Sequence, residues 1–529
     1  MDPPGNINAS TTTVQKTSSK IIQKRLSRKK TFNFDKSNFI HMKKKSLFDE
    51  YEIKEKLGEG GYGCVYKVQH KSTQLLRAVK AIKRKHVDST AFSNEIGVLK
   101  TVDHPNIIKL FDCYYDSNYY YMVEEYCSGG DLYDYLRKQR HFSEKKAAHI
   151  LHQLLSAVNH LHSKNIVHRD LKPENIVFIK TRNDKDKISS QGSPMSVSPN
   201  YKTNSSQQHH NDKDKDKDKD EEIFIKLIDF GTSVSMRGGH LTQELGTIYY
   251  IAPEVFRNNY NERADIWSIG IILYTMLCGH PPFCGNKEEA IRQKILHSKL
   301  QFLPKDFSKV SVEAINFVKQ LLTYDPNKRP SAESALENNW LINMAHRNAD
   351  DRMLAENVLK NLSRFTSAVT LQKATLSFIA NQMTMNEDVR KLQREFDKID
   401  VNKDGVISRE ELIRCLETVC PHEEAVQRTK EIFEEIDFNN DGSINFSEFL
   451  TVNIKKEKIT NEDMLIKAFK MFDLDGNGYI TIDELKETIP LEIQNTSQWV
   501  DVVKEVDQDG DCQISFEEFK LMMEKIAAM

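Results

Sequence analysis

The sequence predicts a multi-domain chain, with a two-lobed α+β domain followed by an all-α domain of four helix–loop–helix repeats. Three observations carry this. A length of 529 residues exceeds what one hydrophobic core usually holds. Alternating apolar residues around 51–83 and 107–126 suggest a small sheet, and longer helical patterns follow from 131 to 340. Further on, loops beginning at Asp400, Asp437, Asp473 and Asp507 recur at a period in the middle thirties, each after an amphipathic helix.

In chain order, residues 1–50 are rich in Ser, Thr, Asn and Lys without an apolar period, and read as a basic, disordered tail. Its KRLSRKK cluster suits anionic lipid or a nuclear import receptor. Residues 51–341 form the first domain. Within it, 181–222 includes KDKDKDKDKDEE and is solvated and coreless. So long a structureless stretch is abnormal inside a compact domain, so it reads as a spacer inserted between the short strands NIVFIK and IFIKLI. Residues 342–386 have a helical pattern, with Leu354, Val358, Leu362 and Phe365 at three- and four-residue steps. Residues 387–529 hold the four repeats.

A net charge of −2 gives no footing for a nucleic-acid partner, and none is expected. Eight cysteines without a CxxC or a paired framework read as a reducing cytosol. The longest apolar run, IGIILYTMLC at 269–278, is too short to span a bilayer, so no transmembrane segment is expected. Residue two is Asp2, which lacks the Gly that N-myristoylation needs. The expectation is a monomeric cytoplasmic protein, with peripheral membrane contact through the basic tail left open.

The first domain carries phosphate chemistry. LGEGGYGCV sets Gly58, Gly60 and Gly63 in a GxGxxGxV pattern, flanked by Leu57 and closed by Val65, so that a hairpin backbone lies close over phosphates. AVK supplies Lys80, whose ammonium suits the α and β phosphates, and Glu95 lies in a helical stretch where it would hold that lysine. HRDLKPEN supplies Asp170, Lys172 and Asn175, DFG supplies Asp229, and APE supplies Glu254. Phosphoryl transfer needs charge neutralisation and alignment more than covalent chemistry. Asp229 and Asn175 offer hard oxygen ligands for Mg²⁺, Asp170 suits the attacking hydroxyl, and Lys172 suits the transferring group.

These motifs, in this order, resemble a eukaryotic protein kinase. The resemblance implies the two-lobed protein kinase fold, with ATP and Mg²⁺ as cofactors and Leu57, Val65, Ala78 and Glu125 lining the nucleotide site. By the same resemblance, Glu254 pairs with Arg329 and Asp265 braces the catalytic loop. Lys172 and GTIYYIAPE resemble serine/threonine kinases. Asp131 and Glu174 match positions that bind an arginine three residues before the target, whereas Thr275 is not the further acid. That implies R-x-x-S/T protein substrates. Glu124 guards the back of the adenine pocket, where an acid needs a partner or water. Arg169 would pair with an anion on the activation loop. Either Glu244 stands in for a phosphate there, or Thr242 is a phosphosite.

The repeats have the ligand spacing of EF-hand calcium loops, with oxygen donors at positions one, three, five, nine and twelve and a backbone carbonyl at seven. Loop 400–411 uses Asp400, Asn402, Asp404, Val406, Ser408 and Glu411. Loop 437–448 uses Asp437, Asn439, Asp441, Ser443, Asn445 and Glu448. Loop 473–484 uses Asp473, Asp475, Asn477, Tyr479, Thr481 and Glu484. Loop 507–518 uses Asp507, Asp509, Asp511, Gln513, Ser515 and Glu518. Position six needs φ > 0 and is Gly405, Gly442 and Gly478 in the first three loops, but Cys512 in the fourth. Gly510, at position four, would let that turn relax, giving a loop that still takes Ca²⁺; the rival is an empty structural loop.

This half resembles calmodulin, and the whole order resembles the calcium-dependent protein kinases of plants and alveolate protists. The resemblance implies a calcium-activated serine/threonine kinase. Its junction, VLKNLSRFTSAVTLQKATLSFIA, would be an intramolecular helix bound by the calmodulin-like domain. Two uses of the junction stay open, a block on the kinase or a brace for it. An inert kinase fold serving as a calcium-binding scaffold is the alternative function.

Overall fold

The computed structural model describes residues 35–59, 63–71, 74–179, 223–236, 241–345, 358–359, 361–362, 370–383, 387–454, 461–488 and 496–528. Two compact units result: one comprises Ile40–Ala355 with Met383–Ile407, the other Met1–Phe39, Glu356–Gln382 and Ser408–Met529.

The first unit opens on a six-stranded sheet ordered β1-β5-β6-β4-β3-β2. Its strands are β1 (Met42–Lys43), β2 (Tyr51–Glu59), β3 (Gly63–His70), β4 (Leu76–Lys83), β5 (Leu110–Tyr115) and β6 (Tyr119–Glu125). All pairs are antiparallel except β1 with β5. This start corrects the tail reading, because residues 35–50 are folded. Lys43 bonds Asp112 at 2.7 Å as β1 pairs with β5, and Ser46 caps α1 (Leu47–Glu50), which buries Leu47. A stretch this short has no visible apolar period, so composition hid it. The rest of the tail, 1–34, and the spacer 181–222 lie outside the described residues.

Helix α2 (Ser89–Thr101) starts at the Asp88 cap and turns Phe92, Glu95, Ile96, Val98 and Leu99 inward. The helical lobe is built on α3 (Glu144–Ser163) and α4 (Arg263–Cys278). Helix α4 is apolar all round and buried along almost its whole length, as a central core helix must be. Between them run β7 (Ile166–Val167), β8 (Ile176–Phe178) and β9 (Ile225–Leu227). Strands β8 and β9 pair antiparallel, Ile176 opposite Leu227, at the two strands expected to flank the insertion.

Helix Glu387–Ile399 and the chain to Ile407 belong to this first unit and not to the unit of the later repeats. The seat is specific: the His160 ring meets the Asp404 carbonyl at 2.7 Å, and Arg390 stacks on Phe224 at 5.1 Å.

The second unit is helical. The junction helix Thr370–Gln382 is its centre, with Leu371, Ala374, Thr375, Ile379 and Ala380 fully buried. Its polar groups are met as well. Gln372 donates to the Met522 carbonyl at 2.8 Å, Lys373 pairs with Glu435 at 2.9 Å, and Ser447 donates to Asn381 at 3.1 Å. Leu354 and Phe365 of the expected periodic stripe lie outside the described residues, whereas Val358 and Leu362 are buried.

Candidate active site and calcium loops

The sheet face that carries Lys80 is set by strand register. Val65 lies opposite Lys80, Met122 opposite Lys80 on the other side, and Glu124 opposite Ala78. Paired residues share a face, so Val65, Ala78, Lys80, Met122 and Glu124 form one wall. Gly63 admits the turn into β3, since a Cβ there would lie 2.0 Å from the Ala81 carbonyl oxygen. Gly58 sits opposite Val65. Leu57 precedes it on β2, half-buried. Gly60 lies outside the described residues.

Lys80 Nζ bonds Glu95 Oε1 and Asp229 Oδ1, both at 2.7 Å. Burial alone would lower the lysine, but Glu95, Asp229 and Glu124 together hold its pKa raised. The Asp229 carboxyl is held below its usual range although burial opposes this, chiefly by Lys80. Burial pushes Glu124 up to about 8, with Lys80 opposing and Glu95 and Asp229 adding to the rise.

The Asp170 carboxylate accepts four hydrogen bonds. Its Oδ2 accepts from Lys172 at 2.6 Å and from Asn175 at 3.4 Å, while its Oδ1 accepts from the Thr247 amide at 3.1 Å and hydroxyl at 3.2 Å. Thr247 also takes a bond from Lys172 at 3.2 Å. In the sequence Thr247 stands out only as part of GTIYYIAPE. The signal was its place just before APE, but a role in holding Asp170 needs the folded loop. The His168 and Arg169 amides both donate to Asp265 at 2.9 Å, and Arg329 grips Glu254 at 2.5 and 3.0 Å, so the two expected braces are present.

One expectation fails. Glu244 does not meet Arg169; its carboxylate lies 3.8 Å from Arg292, and Arg169 instead reaches the Thr232 carbonyl at 2.5 Å and Gln243 at 3.5 Å. The bridge between Leu241 and Tyr260 sets the loop so that the neutral neighbour faces Arg169. Glu125 does not offer its side chain to a nucleotide. It registers with Arg77, and its carboxylate pairs with Lys226 at 2.8 Å in the interior. Only its backbone is left for a base.

The donor set suits Mg²⁺. Asn175 spends its amide nitrogen on the Asp170 carbonyl at 2.8 Å, leaving its oxygen, and Asp229 Oδ1 is on Lys80, leaving Oδ2. The Ile228 amide donates to the Asn175 carbonyl at 2.9 Å, so both residues leave the β8–β9 hairpin side by side.

The calcium loops share one local design. The position-six amide donates to the position-one carboxylate in each: Gly405 to Asp400 at 3.0 Å, Gly442 to Asp437 at 3.1 Å, Gly478 to Asp473 at 3.1 Å and Cys512 to Asp507 at 2.9 Å. The last glutamate closes every loop, and in the first Glu411 accepts from the Ser408 amide at 2.9 Å. Glu448, Glu484 and Glu518 accept from the position-nine amides of Asn445, Thr481 and Ser515 at 2.9, 2.8 and 2.9 Å. In the first loop, Ser408 and Glu411 form a capping box, the Asp404 amide donates to Asn402, and the Val406 amide donates to Asp404. Carboxylate oxygens of Asp473, Asp475 and Glu484 converge within 4.8 Å, as do those of Asp507, Asp509 and Asp511. Burial, with Asp437 and Asp441 adding to it, pushes Glu448 well up. Carboxylates so crowded fit a hard cation. Asn439 and Asn477 bond the next amides as loop ligands do, to Asp441 at 3.1 Å and to Tyr479 at 2.8 Å. Ser443 and Gln513 occupy the matching position-seven turns, each amide bonded to the preceding aspartate.

These features have counterparts among known proteins. The protein kinase domain family matches residues 51–341, and an EF-hand domain pair matches 389–452 and again 462–524. Calcium-dependent protein kinase 4 of Plasmodium falciparum (isolate 3D7) is 34% identical over 496 residues, covering 90% of this chain and 87% of the relative. The chain belongs to the calcium-dependent protein kinases. Calcium-dependent protein kinase 4 of Plasmodium berghei (strain Anka) is 35% identical, covering 94% of this chain and 91% of the relative. Calcium-dependent protein kinase 7 of Arabidopsis thaliana is 33% identical, covering 90% and 82%. As a member, the chain is a calcium-dependent serine/threonine kinase that uses ATP, Mg²⁺ and Ca²⁺. No helix among the described residues is long and apolar enough to cross a membrane.

The fourth calcium loop of this calcium-dependent protein kinase departs from its sisters at position six. Cys512 sits at φ +64°. Position four is left-handed in all four loops, at Lys403, Asn440, Gly476 and Gly510. Gly510 therefore relieves its own position and does not relax position six, which corrects the sequence expectation. The Cys512 β-carbon costs about 1–2 kcal/mol there. Cys512→Gly is expected to tighten the fourth site by about 5–30-fold, since 1.4 kcal/mol is tenfold. Calcium titration of the full chain checks this; identical affinities in the two proteins would contradict it.

Proposed function

We propose that this kinase phosphorylates Ser or Thr three residues after an arginine, with Asp170 as the base and Lys80, Lys172, Asn175 and Asp229 managing phosphate charge. The observation that carries the substrate class is Glu174. Its Oε2 is buried without a hydrogen-bond partner among the described residues, and burial, with Asp131 and Asp170 adding to it, pushes the carboxyl up. Asp131 is likewise pushed up by burial, with Asp134 adding to it. Two crowded acids favour a guanidinium, which offers a planar fork of donors. Thr275 is buried and spends its hydroxyl on the Ile271 carbonyl at 2.8 Å, so no third acid stands there.

In the reaction, Asp170 accepts the proton of the substrate hydroxyl as that oxygen bonds to the γ-phosphorus. The bond from phosphorus to the β–γ bridging oxygen breaks, and ADP leaves with the electron pair. Lys172, bonded to Asp170 and Thr247, lies where charge builds on the transferring group. Lys80, fixed by Glu95, orients the α and β phosphates. Mg²⁺ held by Asn175 and Asp229 would neutralise phosphate charge. The nucleotide would lie against Leu57, Gly58, Val65, Ala78 and the Glu125 backbone, under a loop containing Gly60 and Gly63.

Calcium would act through the loops beginning at Asp400, Asp437, Asp473 and Asp507 on the unit that grips the junction helix. The protein works as a cytoplasmic monomer in this reading. Glu174→Ala is expected to raise KM about tenfold, or 1.4 kcal/mol, for a peptide with arginine at the third residue before serine. KM for the alanine-substituted peptide should not change. Equal losses on both peptides would show that Glu174 does not read the arginine.

A further inference from the structure

The Glu125–Lys226 ion pair is almost fully buried. Glu125 is 3% exposed and Lys226 1%, with 2.8 Å between Nζ and Oε2. Lys226 also donates to the Ile107 carbonyl at 3.2 Å. Taking two charges out of water costs several kcal/mol each, and apolar residues of the same size often stabilise a fold as well or better. Stability alone therefore does not account for the pair, and its place in the fold suggests another use.

Glu125 ends β6, at the end of the sheet where the proposed nucleotide site lies, and its amide is fixed on the Lys109 carbonyl at 2.9 Å. Lys226 is the middle residue of β9, opposite Val177 of β8. Asn175 and Asp229 leave the same end of that hairpin. The segment between the two sites is tied to β9 as well: the Leu227 amide donates to the Asn106 carbonyl at 2.7 Å and the Ile108 amide to the Leu227 carbonyl at 3.0 Å. The ion pair is thus a charged strut from the edge of the sheet lobe to the strand that leads into Asp229.

We propose that Glu125 and Lys226 are positioning residues, which hold the hairpin bearing Asn175 and Asp229 at a set distance from the nucleotide-binding edge. The proposal rests on the assignment of Asn175 and Asp229 to Mg²⁺ given above. The two side chains touch no reactant; the pair acts through the backbone of β8 and β9. A misplacement of about 1 Å in such a site costs up to about a hundredfold in rate.

The test uses the full chain in saturating calcium with an arginine-containing serine peptide. The double variant Glu125→Leu/Lys226→Met removes both charges together and leaves apolar side chains of similar length. Its Tm should stay close to that of the unsubstituted protein, since relief of the pair's desolvation offsets the loss of Glu125 beside the buried Arg77. Its affinity for a fluorescent ATP analogue measured without Mg²⁺ should stay within about twofold, because the base edge remains held by Lys109. Its kcat should fall ten- to a hundredfold, roughly, and the Mg²⁺ concentration for half-maximal rate should rise. Unchanged kcat and Mg²⁺ dependence with an unchanged Tm would overturn the proposal and leave the pair a structural contact. Weakened metal-free nucleotide binding would overturn it too, by showing that the base edge itself has moved. An inactive unsubstituted protein would instead defeat the kinase reading. Should the double variant not fold, Lys226→Arg decides on the same readouts. It keeps the charge but not the length, so a raised Mg²⁺ requirement supports the strut and a normal one rejects it.

Discussion

Asp170→Asn is expected to lower kcat for peptide phosphorylation by about 10²–10⁴-fold, the usual contribution of a positioned base. The amide keeps the shape of the side chain, and its oxygen can still accept from Thr247, whose amide and hydroxyl lie 3.1 and 3.2 Å away. It cannot take a proton from serine. The fold, ATP binding and calcium binding should therefore persist, and KM for ATP should move little. Quench-flow or steady-state assay, with calorimetric calcium titration as the control, checks this. A variant retaining a tenth of the rate would move the base elsewhere.

Ile379→Asp is expected to abolish calcium activation. Ile379 is fully buried at the centre of the second unit, in a helix whose remaining side chains are buried on nearly every side. A carboxylate there has no cation within its own turn, since Lys373 is already paired with Glu435. Leaving a buried charge uncompensated costs about 3–5 kcal/mol, enough to expel the junction helix or melt the unit around it. Residue 379 belongs to that unit alone, so the thermal transition of the kinase unit should be retained. Activity would then no longer respond to calcium. An activation ratio equal to that of the unsubstituted protein would show that capture of this helix is not how calcium is sensed.

What was legible in the sequence was chemistry that demands a residue type. Lys80, Glu95, Asp170, Lys172, Asn175 and Asp229 carry groups that no other side chain replaces, and the fold brings them together as expected. The same holds for the position-one and position-twelve acids of the calcium loops. The missing parts depend on pairing across long stretches of chain. Nothing local tells that Lys226 meets Glu125, because a lone lysine in an apolar strand reads as a solvated edge. Thr247 holds Asp170 only once the activation loop has returned to the catalytic loop. Strand β1 is two residues long, and its stability comes from β5 and Asp112, not from its own composition. The sequence hides the place of Glu244 for a similar reason: a neighbouring side chain, Gln243, is the one the loop backbone presents to Arg169.

The central claim is that calcium on the chain's own loops switches its own kinase. The most direct measurement is the phosphorylation rate of an R-x-x-S peptide by the full chain, in chelator and at calcium of about 10⁻⁷–10⁻⁵ M, the range of sensor loops. Near-silence in chelator with a steep rise across that range is the predicted result; equal rates in both conditions would contradict it.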